Sequence, residues 1–121
     1  MNISIRQAVS PAEARSFDTG ALRRNFLVTD LFSAGEIRMT YSHVDRTVIG
    51  TAVPGAKPLE LTAPPDWMVP SFLARREMGV FNLGGAGAVI LDGKEVQLPV
   101  GDCLYVPSGV DTVAPSRARV E

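Results

Sequence analysis

From residue 37 onward, apolar side chains recur at alternate positions or in short runs, and glycine, proline or aspartate closes each run. Ile37-Arg38-Met39-Thr40-Tyr41 alternates apolar and polar, the spacing of a half-buried strand. Arg46 to Val53 is β-branched and ends at Pro54-Gly55, and Lys57 to Leu61 alternates again. Ala63-Pro64-Pro65-Asp66 predicts a loop, since consecutive prolines suit neither a helix interior nor a central strand. Met78 to Asn82 and Ala86 to Leu91 read as strands around Gly84-Gly85-Ala86-Gly87, a segment expected to turn with positive φ and close backbone approach. Asp92-Gly93 is a two-residue hairpin signal returning through Lys94 to Leu98. Pro99 to Asp102 turns the chain into Cys103 to Val106, and Pro107-Ser108-Gly109 turns it out. Ser116 to Glu121 is polar and carries no closing strand pattern, so a barrel built this way would lack its last strands or borrow them.

Helical signals are confined to residues 10 to 25. Ser10 suits an N-cap, Pro11 the first helical position, and Glu13 completes a capping box. Gly20 is expected to stop this helix, with a second turn over Ala21 to Asn25. Phe26-Leu27-Val28 and Leu31-Phe32 read as short strand-like runs. Many short strands separated by turns predict an all-β sandwich or barrel with a short N-terminal helix.

The 121 residues suit one domain, 1–121, with a single core. An apolar share of 45% against 21% charged is a globular balance. A net charge of -1, with arginines only paired at Arg23-Arg24 and Arg75-Arg76, argues against a nucleic-acid partner. No apolar run approaches the ~20 residues of a membrane span, and Met1 to Ala8 lacks the stretch of a signal peptide. A cytoplasmic setting is therefore expected. Cys103 is the single cysteine, which excludes an internal disulfide; it reads as a small core or strand-face residue. With one histidine, His43, the chain cannot supply a multi-histidine metal site.

Two clusters carry candidate chemistry. Arg75 and Glu77 share a face if the segment is extended, with Arg76 opposite. An arginine there could grip a carboxylate bidentately while Glu77 moves a proton; the alternative is a structural ion pair or an oligomer contact. Tyr41-Ser42-His43-Val44-Asp45-Arg46 gathers hydrogen-bonding groups around the histidine. It reads either as a proton shuttle oriented by Tyr41 or Asp45, or as a braced turn. Gly84 to Gly87 is no phosphate loop, for it lacks the Lys-Ser/Thr ending and precedes a strand.

Gly101 to Gly109 has the spacing G-x5-P-x-G, and Glu77 with Gly84 the spacing E-x6-G. Together they resemble the two signatures of cupins, which implies a β-barrel of the double-stranded β-helix (jelly-roll) type. In metal cupins these motifs bracket an ion held by three histidines and the glutamate. Here the first motif's ligand positions fall among Pro70, Ser71, Phe72 and Leu73, and the third is Thr112, so no metal is expected in this chain.

A longer resemblance is carried by Leu22-Arg23-Arg24-Asn25-Phe26-Leu27-Val28, Tyr41 to Arg46, Phe72 to Val80, Asn82 to Gly87 and Asp102 to Val106. In that order they resemble the N-terminal half of the 5-keto-4-deoxyuronate isomerases (4-deoxy-L-threo-5-hexosulose-uronate ketol-isomerases), from about Ile5 to Val113. The resemblance implies a cytoplasmic bicupin enzyme of pectin and uronate breakdown, self-associating as a dimer to hexamer, with a keto-uronate ligand. It places a zinc site in the C-terminal half, which this sequence lacks. The chain is then expected to be a cupin domain inactive in isolation. His43 and Glu77 are candidate catalytic residues; Arg46, Arg75 and Arg76 are candidate substrate-binding residues. The alternatives are a stand-alone metal-free module that binds a sugar acid or serves as an oligomerisation scaffold, and metal-free isomerisation by His43 and Glu77.

Overall fold

The computed structural model describes residues 2–117. Strands in sheets dominate it and helices are few, as an all-β, cupin-like reading requires. The chain divides into two compact units, Met1–Val53 and Pro54–Glu121.

In the first unit, β1 (Asn2–Arg6) runs parallel to β2 (Ile37–Ser42), and β2 pairs antiparallel with β3 (Thr47–Ala52). A parallel pair needs a long crossover, and residues 7–36 provide it with two short helices. α1 (Pro11–Ala14) starts as predicted: the Ser10 hydroxyl accepts the Glu13 amide at 3.2 Å and donates to the Glu13 carboxylate. α2 (Thr19–Phe26) corrects the sequence reading, because Gly20 lies inside it and does not terminate a helix. The reason is Asp18, whose side chain accepts the Ala21 N–H at 2.7 Å and nucleates a new N-terminus. Phe26, expected to begin a strand, ends this helix, and Leu31-Phe32 is loop. β1 had no counterpart among the predicted strands. Its Arg6 guanidinium donates to the carbonyls of Arg24 and Leu27, closing the helix end where the backbone dipole is negative. Ile37, Met39 and Thr40 are buried in this unit, with the Thr40 and Ser4 hydroxyls 3.0 Å apart. Gly50 is required opposite Met39, since a Cβ there would stand 2.8 Å from the Met39 Cγ.

The second unit contains a 3-10 turn (Pro65–Trp67), a two-stranded sheet and a three-stranded sheet. β4 (Met78–Phe81) pairs with β7 (Cys103–Val106); β5 (Gly87–Leu91) lies between β6 (Lys94–Leu98) and β8 (Val113–Arg117). Asp92 and Gly93 both take positive φ, 47° and 81°, and close the predicted two-residue hairpin. Gly84, Gly85 and Gly87 do not have positive φ, contrary to expectation. Close approach does hold at Gly87, where a Cβ would stand 2.9 Å from the Ser116 carbonyl oxygen.

Two other expectations change. Ser116 and Arg117 belong to β8, so that part of the polar tail is strand; residues 118–121 lie outside the described residues. Lys57 to Leu61 is not a regular strand. The amides of Leu59 and Leu61 donate to the carbonyls of Pro115 and Val113 at 3.0 and 2.9 Å. Pro115 has no N–H to return on that edge. Leu61, Phe72, Leu73, Ala88, Val89, Leu98, Val106 and Val113 are buried in this unit.

Candidate functional site

The structure sorts the candidate residues into two local settings. His43 and Arg46 lie in the hairpin between β2 and β3 of the first unit. Ser42 pairs with Thr47, leaving residues 43–46 as the loop, and Asp45 and Arg46 turn it with φ of 55° and 52°. The Ser42 hydroxyl accepts the Val44 amide, and the His43 amide donates to the Arg6 carbonyl at 2.9 Å. The exposed imidazole meets the Tyr41 ring edge-on, with centroids 5.0 Å apart. This is the geometry of a braced turn that holds one histidine in a defined orientation.

Arg75, Arg76 and Glu77 lie in the segment before β4 of the second unit. They are outside the strand in which their sidedness was argued. Exposure nonetheless alternates, with Arg75 and Glu77 exposed and Arg76 half-buried. The Arg76 guanidinium sits 4.4 Å above the Trp67 ring, and Trp67 is 5.1 Å from the Phe72 ring. Arg76 is thereby drawn into a cation–π stack that fastens the proline-rich loop. Glu77 has a different partner: its carboxylate accepts the Tyr105 hydroxyl at 2.5 Å. That hydrogen bond, with the carboxylate's charge beside it, raises the Tyr105 pKa above the usual phenol value. The arrangement can hold a proton between a phenol and a carboxylate at the surface.

Sequence reasoning did not find Tyr105 as the partner of Glu77, nor Asn82 and Asp92. The Asn82 side chain donates to the carbonyls of Leu98 and Gly85 at 2.7 and 3.0 Å and accepts the Gly84 amide. The Asp92 carboxylate accepts the amides of Asp111 and Thr112 at 3.0 and 2.8 Å and the Thr112 hydroxyl at 3.3 Å. For Asn82 the available signal was a glycine two residues on, Gly84, whose amide the side chain accepts as in turns that fold back on their own backbone. For Asp92 the adjacent Gly93 signalled the hairpin but not the partners at Asp111 and Thr112. Cys103 is exposed on β7, a strand-face residue.

The cupin ligand positions can be tested directly. Phe72 and Leu73 are buried, at 6% and 1% relative exposure. Next to them, the exit turn is seated on the first motif: the Ser108 hydroxyl and Gly109 amide both donate to the Leu73 carbonyl, at 3.2 and 2.8 Å. Thr112 gives its donors to Asp92. Among the described residues no three His, Cys, Asp or Glu side chains are grouped to hold an ion. The side chains at these cupin positions, Pro70 to Leu73 and Thr112, are not the imidazoles, thiolates or carboxylates that ligate zinc. Among the same residues no helix is long and apolar enough to cross a membrane.

No family profile matches the sequence. Individual proteins do. The 4-deoxy-L-threo-5-hexosulose-uronate ketol-isomerase of Agrobacterium fabrum is 46% identical over 109 residues, 90% of this chain and 40% of that protein. The protein of the same name from Cereibacter sphaeroides is 45% identical over 112 residues, covering 93% and 41%. That from Halalkalibacterium halodurans is 48% identical over 104 residues, covering 86% and 38%. The chain thus spans about two fifths of the length of these curated relatives. The chain is thus similar, along nearly all of its own length, to a part of the 4-deoxy-L-threo-5-hexosulose-uronate ketol-isomerases.

Proposed function

We propose that the chain is the metal-free, N-terminal cupin-like part of a cytoplasmic 4-deoxy-L-threo-5-hexosulose-uronate ketol-isomerase, and that it does not catalyse the reaction alone. The observation that carries this reading is similarity along nearly the whole chain to proteins of that name, of which it spans only two fifths. The segment Pro70 to Leu73, where the cupin pattern would put two ligands, supports it: Phe72 and Leu73 are buried apolar side chains, and neither Pro70 nor Ser71 is an imidazole or a carboxylate. Its contribution to the whole enzyme is scaffold and self-association. Within each unit by itself, the residues through which it would contribute to binding a keto-uronate are His43 and Arg46 in the first and Arg75, Arg76 and Glu77 in the second, the arginines as cations for the carboxylate.

The test is elemental analysis of the purified chain together with an assay of keto-uronate turnover, with and without chelator. The expected result is no stoichiometric metal and no turnover. One tightly bound metal per chain, or turnover that survives the chelator, overturns it.

A second reading is a stand-alone module that binds a sugar acid. It is favoured by the exposed Arg75 beside the Glu77–Tyr105 pair. Calorimetric titration with uronates separates the two: binding abolished by Arg75→Ala supports the module, and no heat supports the scaffold. Arg76→Ala is the poorer probe, since it also breaks the Trp67 stack.

A further inference from the structure

The sheet of β4 and β7 turns one face to the core and the other to solvent. Met78, Val80 and Leu104 are half-buried and Val106 is fully buried, all on the inner side. Strand register places Phe81 opposite Cys103 and Gly79 opposite Tyr105 on the outer side, where all four are exposed. The Phe81 ring lies along Gly79, 3.5 Å from where a Cβ would stand, so it spreads over the sheet. At the Phe81 end, backbone bonds from Asn82 to Asp102 and from Gly101 to Asn82 hold the two chain segments together. Their neighbours Leu83 and Val100 are exposed as well. Phe81 and Tyr105, on the two strands, are 69% and 61% exposed, and Leu83, two residues past the end of β4, is 75% exposed.

Isolated exposed apolar residues are ordinary, but a contiguous aromatic group marks a contact surface. The first unit exposes apolar side chains too, on β1, in loops and on β3, with Leu22, Phe26 and Leu27 along α2 and its end.

We infer that the outer face of β4 and β7 is covered, in a full-length ketol-isomerase, by polypeptide from the three fifths of the protein that this chain does not span. The inference rests on the family reading given above. Its occupant follows from length: the match to the Agrobacterium fabrum enzyme takes up 40% of that protein, and the remainder must pack somewhere. Parts of one protein meet through apolar patches with polar rims. The face has that form, with Phe81, Leu83 and Val100 at one end and the Glu77–Tyr105 hydrogen bond at the other. The covering segment would bring apolar side chains to Phe81 and a donor or cation to the Glu77 carboxylate.

Cys103 provides the probe, since a thiol reacts only where reagent reaches it. Maleimide labelling of Cys103 is compared between this chain and a chimera in which the chain replaces the matching part of the Agrobacterium fabrum enzyme. In the chimera, labelling is expected to slow by about tenfold or more and to recover with Phe81→Glu. A chimera that turns over keto-uronate while Cys103 reacts as in the free chain overturns the inference and leaves the family reading standing. A folded chimera with protected Cys103 and no turnover supports the covered face and counts against the isomerase reading. Sedimentation of the free chain gives an independent arm. A monomer unchanged by Phe81→Glu agrees with a face left open, whereas a dimer dissolved by that substitution assigns the face to a second copy and overturns the inference.

Discussion

The two units are held together in different ways. In Pro54–Glu121 the described residues bury eight apolar side chains, from Leu61 to Val113, between short strands. In Met1–Val53 they bury Ile37 and Met39, and much of the rest is tied by polar side chains reaching backbone. Arg6 bonds the end of α2, Arg38 donates to the Asp30 carbonyl at 3.0 Å, and the Thr51 hydroxyl donates to the Leu31 carbonyl. Burial of one large apolar side chain stabilises by about 1.5–3 kcal/mol, a net hydrogen bond by only about 1 kcal/mol. The second unit should therefore be the more resistant to opening, and the first should open in parts.

The largest expected effect is at Leu73, which is 1% exposed and whose carbonyl anchors the exit turn. Leu73→Ala should cost about 2–5 kcal/mol through lost burial and a residual cavity. Denaturant unfolding would show this as a lower midpoint; a change below 1 kcal/mol would break the contrast between the units.

Arg6→Ala should have a smaller and more local effect, about 1–2 kcal/mol, because it removes charge-assisted bonds at one helix end. Hydrogen exchange should quicken in α2 while Val89 and Val106 keep their protection. Uniform quickening across both units would show instead that they open together.

The smallest effect concerns Glu77 and Tyr105. The Tyr105 pKa is raised, first by its hydrogen bond to Glu77 and then by desolvation and the carboxylate's charge. The folded state therefore favours the neutral phenol. That contribution is complete below the ordinary tyrosine pKa and is lost as pH rises through the raised folded value. Ultraviolet titration, with Tyr105→Phe subtracted to remove Tyr41, should place the Tyr105 midpoint above that of free tyrosine. Glu77→Gln should lower it, and an unchanged midpoint would show that the bond does not persist in solution.

Most strands were legible because their signals are local. Ile37 to Tyr41 alternates, and Asp92-Gly93 can close a hairpin with positive φ at both positions. Where the reading failed, a distant or side-chain contact overrode a local rule. Gly20 does not end a helix, because the Asp18 cap outweighs its poor propensity. Lys57 to Leu61 alternates like a strand, but its edge partner is Pro115. The candidate site was legible as residue types but not as contacts: nothing near Glu77 in sequence points to Tyr105, and nothing near Arg76 distinguishes a substrate grip from a Trp67 stack.

The sequence by itself determined the all-β class, the hairpin at Asp92-Gly93, the capping of the first helix and the kinship with the ketol-isomerases. These depend on residue order and local conformational preference. Tertiary structure decided that Phe72 and Leu73 are core, that Thr112 serves Asp92, and which apolar residues gather on the outer face of β4 and β7. Burial and register are set by strands far apart in sequence, so no local pattern could assign them.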